Sequence, residues 1–387
     1  MNKETSHNYI SVFDAIPYFG GSKVASKTYL KLLYKRGLSI EVFTQDPESW
    51  QENSYIKNSF NEPKHFIDQE YGMGFYLKTA WLSCLYLINL IKLIIKHKKR
   101  PLCITGISGP GIDAAMYLAA KLLNIPIIQL VHGPIGASKL SHILLHNTHI
   151  IACLKSEYKK LITMLAIDIK ANAGPRVIQF DNGIDNSDWP SPSHSEFNTP
   201  KIFWSASLLK WKRLDLFTEA FKQASTLRTM HACITYLRPS NTKHAQCKAP
   251  QASDRIETFE KPEQLNDLRA HCNMFVSSSK NEPFGLSILE AMAAGLCIII
   301  PEDGAYWDTK LIHTYNCIKY KANSVEDLKA KLLFLADNMH ISKALALKGR
   351  EFAQQYKAET SYKELLDNTE RLCHMTSQDK LGDCNES

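Results

Sequence analysis

The stretch SSSKNEPFGLSILEAMAAG, residues 277–295, sets two carboxylates, Glu282 and Glu290, eight positions apart with Pro283, Phe284 and Gly285 between them. Eight residues is close to two helical turns, but the proline and glycine prevent one continuous helix from carrying both acids. Ile288, Leu289, Met292 and Ala293 predict a helix over 286–294, with Gly295 placed to end it. Glu290 then sits about one turn into the helix, off its apolar stripe, and Glu282 sits in the loop before it. The loop turns the backbone N–H groups of Gly285, Leu286 and Ser287 out of the helix start, where unpaired amides and the positive dipole end favour an anion. The plain alternative is a strand-to-helix corner with a locally satisfied Glu282 and a solvated Glu290 helped by the helix dipole.

Other residues invite chemistry less directly. His132 follows an apolar strand and precedes GPIG, which places it at the carboxyl edge of a parallel sheet, where ligands bind in such folds. Gly20 and Gly21 open a helix and allow close backbone approach by a ligand, and a tight turn explains them equally well. The basic stretch KWKR, residues 210–213, reads by itself as solvated surface. No metal is expected: an Asp-x-Asp in an acidic loop is missing, as are G-x-S-x-G, G-x-x-x-x-G-K-[ST] and H-E-x-x-H.

The elements that must position these residues fit within 387 residues, enough for two domains with cores of their own. Apolar residues at 44% and charged residues at 22% describe an ordinary soluble chain. The net charge of +7 is spread out and accompanied by no nucleic-acid-binding motif, which argues against a nucleic-acid partner. Ten cysteines without a Cys-x-x-Cys pair, many in apolar runs, indicate reduced core thiols and a cytoplasmic chain. MNKETSHNYI has no apolar signal region. Residues 80–100, AWLSCLYLINLIKLIIKHKKR, read as a buried surface helix or as a helix lying on an anionic membrane, the chain being peripheral on its inner face.

Apolar β-rich runs alternate with helical periodicities: strands at 9–15, 38–45, 101–106, 125–131, 149–155 and 177–185, with helices near 20–37, 80–97 and 111–123. Residues 46–79 show no clear pattern. The Pro- and Ser-rich segment 186–200 is the candidate linker. Beyond it come strands at 201–207, 232–237, 256–259, 273–279 and 296–301, and helices at 213–226, 262–270, 286–294 and 325–337. Such alternation predicts an α/β chain of two Rossmann-like domains with parallel sheets facing a cleft. The expected bounds are 1–190 and 200–358, then a helix over 359–375 packing back on the first domain and a disordered tail over 376–387.

NEPFGLSILEAMAAG resembles the Glu-x7-Glu segment of retaining glycosyltransferases of family 4 (glycosyl transferases group 1), which have the GT-B fold. Glu282, Phe284, Gly285, Glu290, Ala291, Met292, Ala293 and Gly295 match that pattern. YFGGS (18–22), LVHGP (130–134), DNGID (181–185) and ASLLKWKRLDLFTEA (206–220) are similar to further family elements in the family's order, and EDGAYWD (302–308) is a looser echo of another. The resemblance implies a metal-independent hexosyltransferase, without cofactor, that uses a UDP- or GDP-linked sugar as co-substrate. The implied acceptor is a glycan or lipid-linked oligosaccharide of bacterial surface polysaccharide assembly, such as capsule, exopolysaccharide or lipopolysaccharide.

By the same resemblance Glu290 holds the donor ribose, Glu282 and His132 the sugar, and Lys212 the diphosphate. Phe284, Gly285, Leu286, Ser287, Gly20 and Gly21 complete the donor site. The chain departs from the family at Ser207, where an Arg is usual, and at Ala206, where a Gly is usual. Arg213 is the candidate replacement for the missing cation, and Asp308 is at most a sugar contact. In the implied front-face reaction the departing phosphate takes the acceptor proton, so positioning and leaving-group stabilisation do most of the work. Two rivals stay open: an epimerase or phosphorylase of the same architecture, and a catalytically inactive sugar-binding or scaffolding subunit.

Overall fold

The computed structural model describes residues 8–50, 56–60, 72–136, 138–165, 176–239 and 245–382. The chain divides into two compact units, residues 1–181 with 361–387 and residues 182–360.

In the first unit, apolar runs such as YISVFD and IIQLV form parallel strands covered on both faces, which is why their sequences are almost continuously hydrophobic. The strands are β1 (Tyr9–Asp14), β2 (Ser39–Thr44), β3 (Ile56–Ser59), β4 (Ile104–Gly106), β5 (Ile127–Val131), β6 (Ile150–Leu154) and β7 (Arg176–Phe180). They lie in the order β3-β2-β1-β4-β5-β6-β7. Helices α1 (Gly21–Lys35), α2 (Met73–His97), α3 (Ala114–Leu123), α4 (Lys139–His146) and α5 (Lys155–Leu165) make the crossovers. Leu82, Tyr86 and Leu90 of α2 pack with Ala115, Met116 and Ala119 of α3 over Phe13, Phe43 and Ile104.

The segment 46–79, which shows no pattern in sequence, holds a 3-10 turn (Pro47–Trp50), β3 and the first turns of α2. Its residues 51–55 and 61–71 lie outside the described residues. Helix α2 therefore starts at Met73 rather than near 80. Helices α4 and α5 are short and were not apparent from periodicity.

The second unit repeats the plan with six parallel strands in the order β10-β9-β8-β11-β12-β13. These are β8 (Lys201–Ser207), β9 (His231–Leu237), β10 (Ile256–Glu260), β11 (Met274–Val276), β12 (Cys297–Glu302) and β13 (Ile318–Lys321). Its helices are α6 (Leu214–Ser225), α7 (Leu265–Ala270), α8 (Leu286–Ala294), α9 (Tyr306–Lys310), α10 (Val325–Asp337), α11 (Met339–Ala353) and the single turn α12 (Ala358–Ser361). Trp204, Phe217, Phe221, Ile234, Met274 and Ile299 lie in its core. The α/β architecture of two Rossmann-like units agrees with the expectation from sequence.

The unit boundary falls at 181/182, not near 190. Ile184 donates its N–H to Tyr356 O at 3.0 Å and accepts from Ala358 N at 2.9 Å, which binds it to the second unit. The expected linker is pinned as well: Ser193 N reaches Ala294 O at 2.7 Å, and the Asn273 amide donates to Glu196 O and Thr199 O, both at 2.9 Å. Proline and serine shape this segment without freeing it.

The last helix, α13 (Lys363–Gly382), belongs to the first unit, where Tyr29 and Thr369 share a hydrogen bond of 2.7 Å and Tyr362 donates to Ala25 O at 3.2 Å. It runs past residue 376, where a disordered tail was expected to begin. Its interior has no proline, and Thr376 and Ser377 bond back to carbonyls four residues earlier. Residues 383–387 of that expected tail lie outside the described residues.

Candidate functional site

Each sheet starts in its middle, winds outward to one edge and then crosses back to build the other half. The reversal falls between β1 and β4 in the first unit and between β8 and β11 in the second. Loops leaving the carboxyl ends of two such strands diverge and leave a crevice, the usual ligand position in open parallel sheets. The loops after β8 and β11 carry Lys212 and Glu282. Those after β1 and β4 carry Gly20–Gly21 and Asp113, and His132 directly follows β5.

In the second unit the two loops are stitched together. Trp204 Nε1 donates to Ser278 Oγ at 2.9 Å, Ser278 Oγ donates to Lys212 O at 2.8 Å, and Lys280 N donates to Trp211 O at 2.9 Å. This lattice brings the Lys212 ammonium onto the Glu282 carboxylate as an ion pair, with both side chains about 15% exposed. The Trp211 ring lies 3.9 Å from the same ammonium, a cation–π contact that fixes it further. Asp303, which sequence reasoning missed, accepts from Asn281 N at 2.8 Å and Ala305 N at 3.0 Å and ties the Glu282 loop to the turn after β12.

Gly285 stands just ahead of α8 with φ of +77°. A Cβ there would lie 2.9 Å from Glu282 Cγ and 3.0 Å from Ile288 Cδ1, so glycine is required both by conformation and by space. The helix start has no side-chain cap. Among the described residues, no protein group accepts from the N–H groups of Gly285, Leu286 and Ser287. Phe284, expected among the donor contacts, is 3% exposed and faces inward, its ring 4.8 Å from that of Tyr306 and 5.1 Å from that of Trp307. It is an anchor for the loop, since aromatic burial outweighs exposing the ring.

Glu290 projects from α8 and is partly exposed, and the guanidinium of Arg269 on α7 pairs with it. Arg269 is almost wholly buried, also bonds Asn266 and lies over the Phe203 ring. Sequence reasoning missed Arg269; the signal available was an arginine at the end of a short helix, directly before a buried strand. Arg213 takes a left-handed backbone (φ +52°) and spends its guanidinium on Asn323 Oδ1 at 2.6 Å and Asp215 at 3.4 Å. It does not join the Lys212–Glu282 pair. Asp308 binds Lys319 Nζ at 2.7 Å and accepts from Gly304 N at 2.7 Å. Burial raises its pKa, but these partners outweigh burial and hold the carboxyl below its ordinary value. It braces the β12–α9 turn.

In the first unit, Gly20 has φ of −163°, and neither it nor Gly21 would bring a Cβ within 4 Å of anything. Tight-turn geometry does not require these glycines; open space lies in front of them. A buried network unnoticed in sequence holds the turn. Lys23 Nζ meets Asp14 at 3.0 Å and Asp46 at 2.8 Å and donates to Ile16 O at 2.6 Å, while Trp50 and Thr44 donate to Asp14.

His132 places Nε2 2.9 Å from Ser26 Oγ of α1, and its ring meets Phe180 edge-on at 5.6 Å. Its Nδ1 is sealed from solvent and has no hydrogen-bond partner among the described residues, and burial lowers the imidazole pKa to about 4. At neutral pH it is an uncharged hydrogen-bonding group. Asp113, also missed, is buried and pushed up to about 7 by burial; it gathers Ser108 N (2.8 Å), Gly109 N (3.0 Å) and the Gln129 amide (2.8 Å) to shape the loop after β4.

Residues 186–352 match the family model described as Glycosyl transferases group 1. An uncharacterized glycosyltransferase of Methanocaldococcus jannaschii is 23% identical over 361 residues, covering 89% of this chain and 92% of that protein. The structure of Anabaena HepE in complex with UDP-glucose is similar with a TM-score of 0.70 at 14% identity, covering 94% of this chain and 100% of that one. A glycosyltransferase from Rickettsia africae is similar with a TM-score of 0.67 at 14% identity, over 95% and 99% of the two chains. The chain thus has the two-unit α/β GT-B fold seen in these glycosyltransferases, and residues 186–352 of its second unit are similar to the glycosyl transferases group 1 family.

Proposed function

We propose that the chain is a retaining glycosyltransferase that moves a hexose from a nucleotide-sugar donor to a glycan acceptor in surface-polysaccharide assembly. One observation carries this reading: at the β8–β11 crevice, Lys212, Glu282 and the open start of α8 meet within one stitched loop pair. A diphosphate needs a cation and unpaired amides, and a sugar needs a carboxylate beside them. Donor binding exchanges the Glu282 partner of Lys212 for diphosphate oxygens, leaving Glu282 to accept from sugar hydroxyls. Glu290, oriented by Arg269, accepts from the ribose hydroxyls, as acids near helices do in nucleotide-binding folds.

Because HepE binds UDP-glucose, a uridine donor is preferred over a guanosine one. The leaving-group charge is met by Lys212 and the α8 amides, so the reaction is assigned no metal and no cofactor. The cysteines described are free thiols, most of them buried, in keeping with a cytoplasmic site of action. Ser207 at the family's arginine position and the engagement of Arg213 elsewhere favour one second reading, a sugar-binding subunit without turnover.

The deciding measurement is acceptor-dependent nucleotide release from a panel of UDP- and GDP-sugars, with the product anomer read by NMR. Release coupled to an axial-from-axial or equatorial-from-equatorial product supports the proposal. Donor binding without turnover on any glycan supports the second reading, and inversion at the anomeric carbon removes the retaining assignment.

A further inference from the structure

Helix α2 is apolar on two opposite sides. Its inner side, Leu82, Tyr86, Leu90 and Leu93, is buried, most of it against the sheet and α3. Its outer side carries Met73, Leu77, Trp81, Ile88, Ile91 and Ile95, all exposed, with Ile95 70% and Trp81 48% accessible. These outer positions recur at three- and four-residue steps, or a sum of the two, so they form one stripe along the helix, about 30 Å long at 1.5 Å per residue. Leu118 and Leu122 of the neighbouring α3 are also exposed, 48% and 64%. A surface helix normally turns polar residues outward, and a contiguous apolar face of this extent marks an interaction surface.

The charge of α2 and of the three residues after it has one sign. Helix α2 and the three residues after it contain Lys78, Lys92, Lys96, Lys98, Lys99 and Arg100 and no acid. Between Gly72 and Ser156 the single acid is Asp113, which is fully buried. Glu41, buried beneath the helix end, takes Lys96 at 3.3 Å and His97 at 2.6 Å; Lys92 and Lys98 are exposed beside the stripe.

We infer that the outer face of α2 lies in the interface of a bilayer containing anionic lipid. The apolar stripe enters the acyl boundary, Trp81 and Tyr76 sit at headgroup level, and the basic residues meet lipid phosphates. A second copy of the chain would carry the same positive face and is repelled by it. The inner side chains keep the helix on its sheet, so it lies along the membrane and does not cross it. In parallel βαβ units helices run opposite to their strands, so the Trp81 end of α2 is the end near the carboxyl edge that bears His132 and Gly20.

The test is cosedimentation of the full chain with phosphatidylcholine vesicles, with and without phosphatidylglycerol, which needs no donor and is independent of the transfer reaction. The expected result is pelleting with anionic vesicles and little with neutral ones. Ile88→Glu with Ile91→Glu, at exposed positions that leave the core intact, lowers partitioning at least about tenfold, and Lys92→Glu with Lys98→Glu does likewise. Far-UV circular dichroism and thermal melts verify that both variants fold. The inference is overturned if wild type stays in the supernatant, or if the isoleucine variant pellets as wild type does. It is also overturned if light scattering shows a dimer that the isoleucine variant dissociates.

Discussion

The carboxylate of Glu290 on α8 is paired with the guanidinium of Arg269 on α7, a side chain 1% exposed and further held by Asn266. A partly exposed acid is thereby oriented by a buried base that no ligand needs to touch. Arg269→Met removes the orientation while keeping much of the volume. Leaving the partly exposed Glu290 without its partner costs about 1–3 kcal/mol of stability. Urea unfolding should show that loss, and the thermal shift induced by UDP-sugars should shrink with it. A variant that is destabilised yet binds donor as wild type would confine Arg269 to a structural role.

Lys212 and Glu282 compensate each other in the protein, so removing either leaves the other partly buried and unpaired. Lys212→Ala and Glu282→Ala should each destabilise by about 1–3 kcal/mol, and the double variant by less than the sum. Transfer should behave differently. Lys212→Ala lowers kcat on the order of 10²-fold by leaving the diphosphate charge unmet, and Glu282→Gln acts mainly through sugar selectivity. A full double-mutant cycle on both stability and kcat/KM checks this. Additive stabilities would mean that the pair does not form in solution.

How much of this was legible in the sequence follows from the range of each interaction. The bounds of α8 and α10 can be read to the residue because the start signal (Pro283–Gly285 for α8, the Ser324 cap for α10), the apolar period and the terminating residue all lie in or beside the segment. Gly285 was legible as a loop glycine for the same reason. Arg269, Asp303 and the Lys23–Asp14–Asp46 network were not, since their partners come from separate crossover units and no local pattern encodes the meeting. Phe284 was misread because a motif position was equated with a contact, whereas its ring fills a pocket made by Tyr306 and Trp307. The start of α2 was obscured by its unusual outer face, which lacks the polar positions that mark a surface helix.

Gly285 in the second unit and Gly20 and Gly21 in the first should respond in opposite ways. Gly285→Ala places a Cβ against Glu282 and Ile288 at a φ of +77°, and should cost about 1–3 kcal/mol. Gly20→Ala and Gly21→Ala meet open space at ordinary backbone angles, and Gly21→Ala inside α1 should be neutral or stabilising by up to about 1 kcal/mol. If the open space admits a substrate, the same two variants should raise KM while leaving the melting temperature unchanged. Unaltered kinetics in Gly20→Val and Gly21→Val would show that no ligand approaches this turn.

His132 supplies a pH signature. Its imidazole ionises near pH 4 in the fold because burial disfavours the charged ring, against about 6.5 in the unfolded chain. Between these values the unfolded state binds the extra proton, so stability rises with pH from about 4 to 6.5 and is flat above. Acidification through that window should cost the wild type about 1–3 kcal/mol at this one site. Buried Asp113, with its pKa raised to about 7, gives a slope of opposite sign over roughly pH 4–7, so the test must be differential. His132→Asn, which can keep a bond to Ser26, should remove the His132 contribution and leave that of Asp113. The difference between wild-type and variant unfolding free energies, plotted against pH, should rise over this window and level off above pH 6.5. A flat difference would mean that the imidazole titrates normally and is open to solvent.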